Sequence, residues 1–169
     1  LGIETTFVAI NDQGALEGAI RENTKMVFCE SIGNPGLEVA NLPQISSIAR
    51  QHGLPVVVDA TFAPPGLCNT IESGANVIVH SATKWIGGHG AAVGGVVIDG
   101  GNFDWEASGR FPELTEPYEP FHGIKFWEEF GPNALAMKIR AESMRDIGAC
   151  MSPNNAFLLL QGIETLNMR

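Results

Sequence analysis

The 169-residue sequence has little cysteine and little positive charge. Its three cysteines, Cys29, Cys68 and Cys150, lie far apart and form no C-x-x-C pair. This pattern excludes a disulfide framework and a zinc knuckle and favours a reducing compartment such as the cytoplasm. Ten Lys and Arg stand against nineteen Asp and Glu, a net charge of -9. Nucleic acid and anionic membranes are therefore not expected as main partners, because both bind basic surfaces.

Long apolar runs are also absent, since no run approaches the roughly 20 residues that a membrane helix needs. No signal peptide, lipidation motif or metal-ligand spacing of the four histidines is visible. The sequence begins at Leu1 without an initiator methionine and ends at Arg169 within a helix-like segment. We therefore expect an internal piece of a longer polypeptide, with a trimmed but complete domain as the alternative.

Two hydrophobic periodicities alternate along the first hundred residues. Short, nearly all-apolar runs are separated by segments in which apolar residues recur at helical spacing. We predict strands at residues 5–10, 25–29, 55–59, 76–80 and 94–99, and helices at residues 15–22 and 43–52. Apolar strands separated by short amphipathic helices indicate a mostly parallel sheet covered by helices on both faces. The predicted fold class is α/β.

The composition changes after Asp99. Residues 100–131 combine Gly, Pro and carboxylates with the aromatic residues Phe103, Trp105, Phe111, Tyr118, Phe121, Phe126 and Trp127. A long segment of this kind is typical of a functional loop or an interface. Helices are predicted at residues 134–147 and 155–168. The second of these is expected to bury the apolar residues Phe157, Leu158, Leu160 and Ile163.

Polar residues follow three of the predicted strands, at the edge where open α/β sheets bind ligands. These segments are ESIGNPG at residues 30–36, Asp59 with the residues after it, and Ser81–Lys84, which leads into a Gly-rich loop. The carboxyl ends of parallel strands lie at one edge of a sheet, so the three segments are expected to lie near one another.

Lys84 is the only lysine between Lys25 and Lys125, and it lies between two apolar strands. It is a candidate for Schiff-base chemistry, because burial disfavours the ammonium form and frees the nucleophile. The hydroxyls of Ser81 and Thr83 could bind a phosphate. The order of residues is not that of a Walker loop, whose glycines precede the lysine. A flexible turn with a solvated lysine is the alternative.

Asp59 strengthens the case for a cofactor. A carboxylate at the mouth of a sheet, in partly apolar surroundings, needs a cationic partner. A protonated pyridine nitrogen is one such partner, and a lysine Schiff base with an Asp at the ring nitrogen is typical of pyridoxal phosphate enzymes. A turn acid is the alternative for Asp59 alone. Asp59 and Lys84 together favour the cofactor.

The segments VVVDATFAPP, NVIVHSATKWIGGHG and GGVVID resemble the cofactor core of the Cys/Met-metabolism pyridoxal phosphate family, which has an aspartate-aminotransferase-like fold (fold type I). The stretch SGRFPELTEPYEPFHGIKFWEEFGP, followed by LLLQGIETLNMR, is similar to the O-acetylhomoserine sulfhydrylase branch. The resemblance covers essentially the whole chain. It implies that residues 1–169 form the major part of the large cofactor-binding domain, without an upstream segment and a C-terminal small domain.

The resemblance also implies roles for single residues toward pyridoxal 5'-phosphate. Lys84 matches the Schiff-base lysine, and Asp59 matches the partner of the pyridine nitrogen. Ser81 and Thr83 match phosphate-contacting positions, and Asn34 matches an Asn near the phenolic oxygen of the cofactor.

Two positions differ from the pattern of the family. Ala60 follows Asp59 where many relatives have Asn, which we expect to have a mild effect because Asp59 carries the charge. Arg169 does not match the Arg that binds the substrate carboxylate, and we expect it to be a surface or interface residue.

The implied reaction is γ-replacement on O-acetyl-L-homoserine with sulfide or a thiol, giving homocysteine or methionine plus acetate. One alternative is a related cystathionine γ-synthase or a methionine or cystathionine γ-lyase. Another is a catalytically incomplete fragment that serves only as a structural piece, and the isolated chain is expected to be inactive. The resemblance further implies a homotetramer built from two dimers, with the aromatic stretch at residues 103–127 as a contact surface.

Overall fold

The computed structural model describes residues 2–169, and in this range four short strands form one sheet. The strands are β1 (Val27–Glu30), β2 (Val56–Asp59), β3 (Val77–Ser81) and β4 (Gly95–Asp99). They lie in the order β1-β2-β3-β4. The first three are parallel, and β4 is antiparallel to β3. The predicted α/β fold with a mostly parallel sheet is therefore confirmed.

Short helices precede, separate and follow the strands. They are α1 (Gln13–Ala19), α2 (Leu42–Gln51), α3 (Trp105–Ser108), α4 (Pro112–Thr115), α5 (Phe126–Phe130), α6 (Ala134–Ile139), α7 (Arg145–Ile147) and α8 (Pro153–Ile163). A π-helical segment, Arg140–Met144, joins α6 to α7, so the helix predicted at residues 134–147 is continuous. Of the described helices, none is long and apolar enough to cross a membrane.

The local sequence explains where α2 begins and which face it buries. The Asn41 side chain accepts a hydrogen bond from the Gln44 N–H, and a proline in the first turn needs no intrahelical donor. The buried face of α2 packs on one face of the sheet. The core there comprises Leu42, Ile45, Ala49, Val56, Val58 and Ile78, among others.

The opposite face of the sheet is covered only in part. Strand register places Phe28, Val57, Val79 and Val97 on this face. Phe28 and Val97 are 58% and 52% exposed. The helix α6 reaches the far end of this face, where the Ala136 N–H donates to the Asp99 carboxylate at 3.3 Å. The uncovered part lies beside the strand ends that carry the candidate site.

The aromatic stretch after β4 forms a second core, and its role as a contact surface between subunits stays a prediction. Trp105 and Phe126 are buried, and most of the other aromatic residues pack around them. The Lys138 Nζ lies 3.1 Å from the centroid of the Tyr118 ring and 3.2 Å from the Glu142 carboxylate. Frequent Gly and Pro divide the stretch into helices of only four or five residues, too short to show a helical period in the sequence.

The strand predicted at residues 5–10 is absent. Residues 5–9 are exposed and form no ladder with a described strand. A strand is stabilised by its partners rather than by its own propensity, and this segment has none within residues 2–169. Only Ile10 packs against the first core.

The prediction for the core residues of α8 is also wrong. Phe157, Leu160 and Ile163 are exposed and Leu158 is half-buried, whereas Leu159 and Gly162 are buried. The buried pair is three residues apart and defines a narrow face of the helix. Because a glycine carries no apolar side chain, hydrophobic spacing gave no sign of this face.

Candidate active site at the carboxyl edge of the sheet

The parallel pairing of β1, β2 and β3 brings the three polar strand ends to one edge. Glu30 lies opposite Asp59 in the register, and Asp59 lies opposite Val79. Ser81 ends β3 two residues further on. This register places the ends of the three strands at one edge of the sheet, as expected from the sequence.

Thr61 links two of these strand ends. Its backbone N–H donates to the Asp59 Oδ1 at 2.8 Å, and its hydroxyl accepts the Ser81 N–H at 2.8 Å. The Asp59 carboxylate thus accepts a hydrogen bond from the backbone two residues later in the chain, and this bond fixes the carboxylate within a turn. Sequence reasoning missed Thr61, although the Asp-x-Thr spacing is typical of such a turn.

Lys84 lies in a tight turn that begins at the end of β3. Its N–H donates to the Ser81 carbonyl at 3.0 Å, and its carbonyl accepts the Gly88 N–H at 2.8 Å. The side chain is exposed. The burial expected for Lys84 is therefore wrong for the chain described, in which residues 2–169 leave this side chain open to solvent.

The two hydroxyls beside Lys84 differ in their engagement. The Thr83 hydroxyl donates to the Gly94 carbonyl at 3.2 Å and accepts the Gly94 N–H at 3.0 Å. It therefore closes the loop between β3 and β4. The Ser81 side chain is half-buried and makes no hydrogen bond within the described residues. Of the two, Ser81 has a donor free for a ligand.

Asn34 lies in the loop after β1 and is exposed. Its backbone N–H donates to the Glu30 Oε2 at 2.9 Å. The Glu30 carboxylate thus holds the loop at the edge that carries Asp59, with the Asn34 amide side chain making no hydrogen bond in the part of the chain that the structure describes.

Two buried polar atoms lie behind the site without partners among the described residues, the Ser31 Oγ and the His80 Nδ1. Backbone bonds from Ser31 to Asp59 and from Ala60 to Val79 continue the register. Ala60 therefore lies between Ser31 and His80. Burial lowers the pKa of the His80 imidazole, against opposing effects of the Ala60 backbone and the Asp59 charge.

This set of groups fits pyridoxal 5'-phosphate. Lys84 offers an exposed amine for the aldehyde, and Asp59 offers a carboxylate with one oxygen not engaged by the described residues. Ser81 offers a hydroxyl donor for the phosphate, and open space surrounds the backbone at Gly90. The described residues contain no cluster of three potential metal ligands.

The fold and these strand ends define a cofactor-dependent α/β enzyme domain. The sequence model of the Cys/Met metabolism PLP-dependent enzyme family matches residues 1–169. The chain belongs to this family, whose cofactor is pyridoxal 5'-phosphate, and the predicted resemblance and cofactor are confirmed.

Named relatives agree with this assignment. The chain is 48% identical over 171 residues to the homocysteine synthase of Schizosaccharomyces pombe, covering 100% of this chain and 40% of that protein. It is 42% identical over 171 residues to O-acetyl-L-homoserine sulfhydrylase 1 of Thermus thermophilus, again covering 100% of this chain and 40% of that protein. The chain thus spans about two fifths of the length of these curated relatives.

Solved structures show the same fold. A putative O-acetylhomoserine (thiol)-lyase of Campylobacter jejuni, solved with N'-pyridoxyl-lysine-5'-monophosphate, superposes with a TM-score of 0.87 at 35% identity. The match covers 95% of this chain and 40% of that one. A cystathionine γ-lyase of Lactobacillus plantarum, complexed with L-serine, gives a TM-score of 0.74 at 27% identity, covering 97% of this chain and 35% of that one.

Proposed function

We propose that this chain supplies the cofactor centre of an enzyme that performs γ-replacement on O-acetyl-L-homoserine. Sulfide or a thiol replaces the acetate group, giving homocysteine or methionine. The observation that carries the proposal is that Asp59 and Ser81, which end neighbouring parallel strands, share one edge with the exposed amine of Lys84. The names of the relatives support this reaction over others of the family.

Each residue has a separate task in this proposal. When bound, the cofactor supplies an aldehyde for an amine and a ring that withdraws electrons from the substrate carbon beside the amino group. The Asp59 carboxylate holds the proton on the ring nitrogen, and Thr61 fixes its Oδ1. Lys84 binds the cofactor and, once freed, moves protons at the α and β carbons of the substrate.

The remaining residues bind and orient. The Ser81 hydroxyl donates to the phosphate, where a hydrogen bond to a charged group is stronger than a neutral one. Asn34 lies near the phenolic oxygen. Thr83 is proposed as a second phosphate contact on the resemblance alone, since its hydroxyl already bonds Gly94 in this structure.

The rest of the polypeptide and the other subunits are also part of the proposal. Residues 1–169 are proposed as the major part of the large cofactor domain, because they span about two fifths of the relatives. The exposed Lys84 amine would be shielded from water by parts of the polypeptide beyond these residues. We also propose that the protein is cytoplasmic, because its cysteines are sparse. The family resemblance supports the further proposal that it forms a homotetramer.

A γ-lyase or a γ-synthase on the same centre is the second candidate. The structural likeness to a cystathionine γ-lyase favours it, since the same lysine and aspartate would serve either reaction. Full-length enzyme supplied with O-acetyl-L-homoserine and sulfide should release homocysteine and acetate. Release of a 2-oxo acid and ammonia from cystathionine or methionine as the dominant activity would favour the lyase.

The assignment of Lys84 is tested by trapping. The full-length protein is saturated with pyridoxal phosphate, reduced with borohydride and digested, and the labelled peptide is identified by mass. We expect the pyridoxyl group on Lys84, no label there in Lys84→Ala, and a normal label in the control Lys125→Ala, whose side chain is exposed beside Glu128. Unlabelled Lys84 in saturated wild-type protein would refute the assignment. A 169-residue chain that takes no label while the full-length protein does would show that the isolated chain does not bind the cofactor by itself.

A further inference from the structure

The loop that follows Lys84 is packed under the helix α8. Gly162, in the last turn of α8, lies directly against the backbone of this loop. A Cβ atom at position 162 would lie 2.7 Å from the Ile86 carbonyl oxygen and closer still to the carbonyl oxygen of Gly87. Gly162 is buried. Only a residue without a side chain allows this approach.

One turn earlier in α8, Leu159 packs on the same loop. Cβ atoms built at Gly87 and Gly94 would each lie 2.7 Å from a Leu159 methyl group. Leu159, Ala82 and Ile86 form a small core of their own. At the start of α8, the Asn155 amide donates to the Val93 carbonyl at 2.9 Å. The helix α8 therefore contacts the loop near its start, at its middle and in its last turn.

Arg169 joins the end of this region to the residue beside the lysine. Its Nη1 donates to the Trp85 carbonyl at 2.8 Å, and its other terminal nitrogen donates to the Gly162 carbonyl. The Nε donates to the Thr165 hydroxyl at 3.1 Å. Trp85 directly follows Lys84, so the guanidinium fixes the Trp85–Ile86 peptide unit, one residue beyond the candidate cofactor lysine.

We propose that α8 positions Lys84, with Gly162 and Arg169 as positioning residues that touch neither substrate nor cofactor. This inference rests on the proposed role of Lys84. A Cβ at position 162 would force α8 and the loop apart by about half an ångström or more, since a carbon normally lies roughly 3.3 Å from a carbonyl oxygen. Misplacements of this size at a reacting group cost on the order of tenfold in rate or more.

The test measures attachment of the cofactor to Lys84. Full-length cofactor-free protein is mixed with pyridoxal phosphate, reduced with borohydride after increasing times, and the Lys84 peptide is quantified by mass. The variants are Gly162→Ala and Arg169→Gln. The controls make the same changes elsewhere: Gly18→Ala in α1, where a Cβ meets nothing within 4 Å, and Arg21→Gln, whose side chain is exposed.

We expect both α8 variants to label Lys84 on the order of tenfold more slowly, at unchanged far-ultraviolet circular dichroism, and both controls to label at the wild-type rate. Labelling of both α8 variants at the wild-type rate would refute the positioning role while leaving the role of Lys84 intact. Absence of the label from Lys84 in the wild type would refute the proposed function and this inference together. If Gly162→Ala does not fold, Arg169→Gln, a surface change, decides the matter.

Discussion

Asp99, the last residue of β4, lies opposite Val77, the first residue of β3. The sequences VVVD and VVID that end β2 and β4 are nearly the same, yet the antiparallel direction of β4 places Asp99 at the edge of the sheet remote from Ser81. There its carboxylate accepts the Gly101 N–H at 3.0 Å and the Ala136 N–H at 3.3 Å. Strand direction thus separates a structural aspartate from the candidate catalytic one.

Replacement of Asp59 should therefore affect turnover, whereas replacement of Asp99 should affect stability. Asp59→Ala is expected to retain some cofactor but to lose most turnover, on the order of a hundredfold, because the ring nitrogen loses its charged partner. Asp99→Asn is expected to lower the free energy of unfolding and to leave the turnover of the folded fraction near normal. Steady-state kinetics of the full-length enzyme and urea unfolding measure the two effects. Near-normal turnover in Asp59→Ala would exclude its role at the ring nitrogen.

The hydroxyl of Ser81 is predicted to act on the cofactor alone. In Ser81→Ala the dissociation constant of pyridoxal phosphate should rise roughly ten- to a hundredfold, since a hydrogen bond to a charged group is worth about 1.5–3 kcal/mol. The melting temperature of the cofactor-free protein should not change. Ser47→Ala, at an exposed position of α2, is the control. Unchanged cofactor affinity in Ser81→Ala would contradict the assignment.

The hydroxyl of Thr83, unlike that of Ser81, is already bonded within the loop, so its replacement is predicted to destabilise the loop whether or not it also contacts the phosphate. Thr83→Val removes both bonds of the hydroxyl to Gly94 and should lower the free energy of unfolding by about 1–3 kcal/mol. Thr83→Ser keeps the hydroxyl and should stay close to the wild type. Denaturant titration of the cofactor-free protein measures this. Weaker cofactor binding in Thr83→Val at unchanged stability would instead favour the phosphate contact that the family resemblance implies.

The buried parallel strands could be predicted from the sequence because their local signal and their environment agree. The run Val56–Val58 is apolar and is bounded by Pro55 and Asp59, and Val56 and Val58 pack in the core under α2, so the local sequence pattern indicates both the strand and its burial. The placement of Asp59 and Ser81 at a common edge followed from parallel pairing, which is a general property of such sheets.

Features that depend on contacts between distant segments could not be predicted in this way. The exposure of Lys84 depends on which elements pack over the edge, and the buried face of α8 depends on Gly87 and Gly94, which have no hydrophobic signal. The segment at residues 5–10 has strand-like composition but lacks a partner strand in the described part of the chain. Propensity alone cannot supply one.

The second core yields a prediction on stability. Phe126 is fully buried among aromatic neighbours, whereas Phe157 on α8 is 59% exposed. Phe126→Ala should therefore lower the free energy of unfolding by about 3–5 kcal/mol, and Phe157→Ala should change it by less than about 1 kcal/mol in the 169-residue chain. Thermal unfolding of the two variants measures the difference. Equal losses would show that the aromatic stretch is not an internal core.

The buried His80 should make the fold less stable in acid. Burial lowers the pKa of its imidazole more than the Ala60 backbone and Asp59 raise it. The unfolded chain therefore binds the proton at a higher pH than the folded chain does. Stability is fully present above the unfolded pKa of about 6.5 and is lost as the pH falls from there through the folded pKa.

His80→Gln should make the fall in the free energy of unfolding below pH 6.5 shallower, by up to about 1.4 kcal/mol per pH unit, the value for one proton. The comparison with wild type matters because carboxylates also lose charge in acid. Urea unfolding of the cofactor-free protein between pH 5 and 8, in steps of about half a unit, gives both slopes. His52→Gln, at an exposed position after α2, is the control for the change of side chain. A wild-type slope in His80→Gln would mean that the buried imidazole gains its proton equally well in the folded and unfolded chains.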